Sequence, residues 1–176
     1  VGKGLLVGAA LPVALAASGG WGAFRAIRPV RAAIVTVEDS ERRIRCRIGA
    51  ILRGIGLDAA ALGDRLTVLA RPKGGIKLDN PEDVRGLLRV LKDFAPDYLN
   101  LDNLARMAGG DENTSEIRPA VEAADAIREE LGAAVVLTHH WGKASQDKRG
   151  IHRSRGWSGI PAMADAHLTV TREENS

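Results

Sequence analysis

The sequence predicts an α/β fold in a single domain, residues 1–176: a mostly parallel sheet flanked by helices. Three observations predict it. Short apolar, β-branched runs alternate with helical patterns along the whole chain, the order that βαβ units require. Aromatic residues are 3% of the chain and hydrophobic residues 45%, so the core is built from Ala, Val, Leu and Ile, which suits a sheet covered on both faces. Several strand-like runs end directly in acids or histidines, and in open α/β sheets ligands bind at the carboxyl ends of the strands.

The elements follow in order. Val1 to Gly20 reads in two ways. Lys3 before an apolar run, with Ala14-Leu15-Ala16 as a cleavage-like site, has the form of a secretory leader. Gly2-Lys3 also has the form of the tail of G-x-x-x-x-G-K-[ST], a phosphate-binding loop opening a helix. The run from Gly4 to Ala17 is interrupted by Gly8 and Pro12 and is shorter than the ~20 residues of a membrane-spanning helix. Arg31–Val37 is a buried strand stopping at Glu38-Asp39-Ser40. Ile44, Ile48, Ile51, Leu52 and Ile55 then recur at three- and four-residue steps among arginines, an amphipathic helix with Asp39 or Ser40 as its cap.

Arg65–Ala70 is a second strand and Arg71–Asp79 a loop. Asn80-Pro81-Glu82-Asp83 gives a capping side chain, proline in the first turn and two acids, starting a helix that runs to about Phe94. Tyr98–Asp102 is a strand ending in a carboxylate, with a buried amide, Asn100, inside it. A polar loop, Ala108–Ser115, precedes a helix ending near Gly132. Ala133–Thr138 is a strand running into His139-His140, and Ala166–Thr171 reads as a last strand.

The single Cys46 excludes an intrachain disulfide and points to a reducing cytoplasm. Net charge is +3 with pI near 9.3, which permits a nucleic-acid partner without requiring one.

Five segments in this order resemble the RecA-like P-loop ATPases, and within them the RepA-type hexameric replicative helicases, an AAA family ATPase group. They are Gly2-Lys3, IVTVEDSERR, YLNLDNLARMAGGDEN, AAVVLTHHWGKA and SRGWSGIPAMADAHLTV, together nearly the whole chain. On that resemblance the chain is cut at its N-terminus, lacking the first strand and the front half of the phosphate loop. Its end at Glu173-Glu174-Asn175-Ser176 is open to the same reading.

The resemblance implies roles. Gly2, Lys3, Gly4 and Leu5 would bind nucleotide, with Lys3 reaching the β- and γ-phosphates. Gly4 departs from the family, which places Ser or Thr there to hold Mg²⁺. Asp102 would be the metal carboxylate, and its plain alternative is a strand-end cap. Glu38 would polarise the attacking water, with a helix-start acid as its alternative. His140 would sense the γ-phosphate; the paired histidines lack a third ligand at zinc spacing. Arg155, with Arg153 as the second choice, would reach a neighbouring subunit's nucleotide. Lys143, Lys148, Arg149 and Arg153, beside Trp141, would line a track for single-stranded DNA, or form an ordinary basic surface loop. The implied whole is an ATP- and Mg²⁺-dependent motor working as a homo-oligomeric, hexameric ring on DNA, cytoplasmic and off the membrane. The competing expectation is a nucleotide-dependent regulatory or binding module with weak or no hydrolysis.

Overall fold

The computed structural model describes residues 6–21, 24–110, 114–139 and 159–168. The chain enters through a wide, π-type helical turn, Leu6–Ala10, that leads into α1 (Leu11–Ser18). Pro12 accounts for the widening: it has no N–H to give Gly8 and its ring crowds that carbonyl, so the ordinary i to i−4 ladder cannot pass through. Gly19, at φ 73°, ends α1, its N–H donating to the Leu15 carbonyl. A two-residue antiparallel pair follows, β1 (Gly20–Trp21) with β2 (Phe24–Arg25).

Then come β3 (Ala32–Thr36), α2 (Glu41–Gly54), β4 (Leu66–Ala70), α3 (Pro81–Phe94), β5 (Tyr98–Asp102), the single turn α4 (Leu104–Met107), α5 (Arg118–Leu131), β6 (Ala134–Thr138) and the short α6 (Gly159–Ala162). The expected caps form. Ser40, rather than Asp39, caps α2 by accepting from Arg43 N, and Asn80 Oδ1 accepts from Glu82 N at 2.9 Å. Ala166–Leu168 is exposed irregular chain, which corrects the last strand expected there; the remainder of that stretch lies outside the described residues.

The main sheet runs β4-β3-β5-β6, all parallel. Alternation along each strand divides the core in two. Ala33, Val35, Leu99 and Leu101 pack with Leu87 and Leu91 of α3 and with Ala120, Ala124 and Ile127 of α5. On the other face, Leu11, Val13 and Ala16 of α1 pack with Ala32, Tyr98 and Leu52 of α2. Residues 11–16 are therefore a structural layer of the domain, with Val13, Ala14 and Ala16 wholly buried. Among the described residues no helix is long and apolar enough to cross a membrane.

From β3 the chain steps to β4 on one side, then returns to β5 on the other. Neighbours β3 and β5 thus form the point where the strand order reverses. Connections leave such neighbours in opposite directions, opening a crevice at their carboxyl ends.

Candidate functional site

Three strands stop in register at this crevice, with Thr36 paired to Asp102 and Asp102 paired to Thr138. Thr36, Asn100, Asp102 and Thr138 all stand on the α1 face of the sheet, where period-two alternation puts them. The wide turn lies against this group. A Cβ on Gly8 would sit 3.4 Å from Asn100 Oδ1 and 3.8 Å from Asp102 Oδ2, ordinary contact distances that put the turn directly against the two polar side chains.

Asp102 is buried and lies between two hydroxyls. Thr36 Oγ1 donates to its Oδ2 at 3.3 Å, while the same oxygen accepts from the backbone N–H groups of Glu38, at 3.3 Å, and Asp39, at 3.2 Å. Burial pushes the Asp102 carboxyl above its usual range, and the negative charge of Glu38 adds to the effect; hydrogen bonds from Thr36 and Thr138 offset part of it. Glu38 follows β3, half-buried, and pairs through Oε1 with Arg106 Nε at 3.2 Å. Arg106 is carried on α4, which Asn103 caps by accepting from Arg106 N at 3.0 Å. Lys77 Nζ fastens the end of α4 by donating to the carbonyls of Arg106 and Ala108. Asp39 faces elsewhere, held by Arg43 at 3.2 Å and by Arg47, so it organises the start of α2 instead of joining the site.

Asn100, an unexpected amide in a central strand, is now explained in part. It donates through Nδ2 to the Val136 carbonyl at 3.3 Å and to Thr138 Oγ1 at 3.2 Å. Its Oδ1 is buried with no hydrogen-bond partner among the described residues.

Of the site residues read from the sequence, the structure brings Glu38 and Asp102 together. Gly2, Lys3, Gly4, Leu5, His140, Lys143, Lys148, Arg149, Arg153 and Arg155 lie outside the described residues. Sequence reasoning missed Thr36, Thr138 and Arg106. Thr138 closes the apolar run read as its strand, but Thr36 lies one residue short of the end of the run Arg31–Val37, and only the observed register sets both beside Asp102. Arg106 had no signal beyond being basic near an acid.

The donor set suits a hard cation. Among the described residues no three His, Cys, Asp or Glu side chains form a metal cage, but Asp102 is a carboxylate held in low dielectric by hydroxyls. One such carboxylate is what magnesium takes from a protein when it shares its remaining positions with phosphate oxygens and water.

Comparisons with known proteins fit this geometry. A family model described as AAA domain matches residues 2–146. Among solved structures, a KaiC-like protein from the hyperthermophilic archaeon Pyrococcus horikoshii superposes with a TM-score of 0.52 at 20% identity, covering 77% of this chain and 55% of that one. The chain thus spans little more than half of that relative's length. Comparison with curated proteins gave no match. A four-stranded parallel sheet with its carboxylates at the switch point, and a family match over most of its length, identify the chain as a member of the AAA domain family, with a RecA-like P-loop NTPase fold.

Proposed function

We propose that this domain binds and hydrolyses ATP with Mg²⁺ as part of a motor acting on DNA, in the manner of RepA-type replicative helicases. One observation carries the ATPase reading: Glu38 and Asp102, 64 residues apart in the chain, meet at adjacent strand ends beneath the turn that follows Gly2-Lys3. Lys3 precedes Gly8 by five positions, and Gly8 lies against Asp102. An extended five-residue stretch reaches at most about 18 Å. The ammonium of Lys3 is thus within chain reach of the same crevice.

Each group then has a task. Asp102 would hold magnesium, which when bound neutralises charge on the phosphate oxygens. Lys3 would stabilise the transferred phosphoryl group, and the Glu38 carboxylate would take the proton of the attacking water. In the present arrangement Arg106 engages that carboxylate, so Glu38 has to leave this ion pair to act as a base. The pair is substantially exposed, and exposed pairs contribute only ~0–1 kcal/mol, so the release costs little. His140 follows Thr138 by two residues and would report the γ-phosphate to the basic tract from Lys143 to Arg155. That tract would grip single-stranded DNA, with Arg155 completing a neighbouring subunit's site in a ring.

Gly4 favours a second reading. Without the hydroxyl normally placed there, metal would be held more weakly, and the domain would act as a nucleotide-dependent switch with slow turnover. Steady-state ATPase assays with and without single-stranded DNA separate the two. The motor reading expects turnover that rises several-fold with DNA and falls by ~10²-fold or more in Glu38→Gln. Nucleotide binding with turnover indifferent to DNA would contradict it.

A further inference from the structure

Asp102 has a hydroxyl on either side, and the two hydroxyls are not organised in the same way. The acceptor side of Thr36 Oγ1 is filled by backbone N–H groups of Glu38 and Asp39, which leaves its proton for Asp102. Thr138 ends β6 and pairs with Asp102 across the sheet. Its oxygen instead receives the side-chain N–H of Asn100. The amide orientation is fixed by chemistry: the Val136 carbonyl can only accept, so the atom 3.3 Å from it is the nitrogen.

This choice is unfavourable for stability taken alone. Asn100 is 0% exposed, in the middle of a central strand, and its Oδ1 has no partner among the described residues. An unmatched buried acceptor destabilises a fold, a cost that an aliphatic side chain would avoid. We infer that Asn100 is a positioning residue: by donating to Thr138 Oγ1 it commits the Thr138 hydroxyl proton to Asp102, so that the site carboxylate is clamped from both neighbouring strands.

The consequence is a carboxylate with little rotational freedom. A preorganised ligand loses less freedom when it takes up a cation and holds that cation more tightly. The clamp also joins Asp102 to the strand that runs into His139-His140, so movement at either is felt at the other. This inference rests on the reading of Asp102 as the metal carboxylate, and its test separates the two.

The experiment uses Asn100→Val, Thr138→Val, Thr138→Ser and the double variant Asn100→Val/Thr138→Val. A fluorescent ATP analogue reports the Mg²⁺ concentration for half-maximal binding, and urea unfolding is followed in parallel. The clamp predicts that Asn100→Val and Thr138→Val each raise the Mg²⁺ midpoint several-fold while affinity in metal-free buffer is unchanged. The double variant should match Thr138→Val alone, and Thr138→Ser should behave as the parent. A midpoint unmoved by Asn100→Val while Thr138→Val shifts it, or two shifts that multiply, would overturn the clamp. If the parent shows no Mg²⁺ dependence, the functional reading fails and unfolding decides the clamp. A double-variant loss smaller than the sum of the single losses supports the Asn100–Thr138 pairing, and additive losses overturn it. Should Asn100→Val not fold, Asn100→Ala removes the donor without adding branched bulk and carries the same prediction.

Discussion

Strand β5 begins just after one aspartate and ends in another, and the two ends of the sheet treat them in opposite ways. At the N-terminal end Asp97 accepts from Arg31 N at 2.8 Å and from Arg28 at 2.9 and 3.3 Å. Arg31 in turn donates to the Phe94 carbonyl, pairs with Asp64 at 2.8 Å, and lies 4.5 Å over the Phe94 ring. The Arg31 N–H and the Arg28 guanidinium hold the Asp97 carboxyl below its usual range. At the C-terminal end Asp102 has hydroxyls but, among the described residues, no cationic partner, and its carboxyl is pushed up. The lower end has matched its charges within itself. The upper end keeps a carboxylate that the described residues leave without a cation, a pattern common at functional sites.

The largest effect that would sharpen this contrast is chemical. Glu38→Gln should lower turnover by ~10²-fold or more, the usual scale for losing a general base, with unfolding midpoint unchanged. Steady-state ATPase assays beside urea melts check both halves. Next in size, Asp97→Ala should cost about 2–3 kcal/mol, since it strands the Arg31 N–H and removes charge-assisted bonds, while nucleotide affinity of the folded fraction is retained. A smaller effect of opposite sign belongs to Asp102→Asn. It should unfold at higher urea by ~1 kcal/mol at neutral pH, because it removes a desolvated charge.

Acid resolves the signs. Relative to the ordinary value of 3.8, the Asp97 carboxyl is lowered, so its stabilisation is complete above that value and lost as pH falls through the folded-state value. The Asp102 carboxyl is raised, so its favourable contribution is present below 3.8 and is lost as pH rises through the higher folded-state value. The stability gain of Asp102→Asn should therefore shrink as pH is lowered through that upper window, measurable as urea midpoints at stepped pH. Smallest of all, Arg106→Ala should change stability by no more than ~0.5 kcal/mol, because its pair with Glu38 is largely exposed. Its effect would show in the ATPase rate, as a rise if the pair restrains Glu38.

The same contrast shows what could be read from residues alone. The four main strands, the helices between them and both caps were legible because local patterns fix them: period-two alternation, Asn80-Pro81, Ser40 before a helical repeat. Asp102 and Glu38 were legible because they follow apolar runs directly. What was not legible depends on register. Nothing in the order of residues says that Thr36, Asp102 and Thr138 end side by side, and without that pairing Asn100 had no reason to be polar. The wide turn was hidden for a related reason: Gly8 and Pro12 read as interruptions, whereas Pro12 widens the helix and Gly8 lies in the turn that packs against the carboxylate. The stretch at Ala166 had strand-like composition but gains no neighbour among the described residues, and composition without pairing does not make a strand.

The central claim is that Asp102 is a ligand-facing carboxylate, in contrast to the structural Asp97. Binding of an ATP analogue by the parent and by Asp102→Asn, measured across a Mg²⁺ titration, tests it most directly. The account predicts that Mg²⁺ strengthens binding to the parent and has no effect on Asp102→Asn, although the variant is the more stable protein. Equal enhancement by Mg²⁺ in both would contradict it.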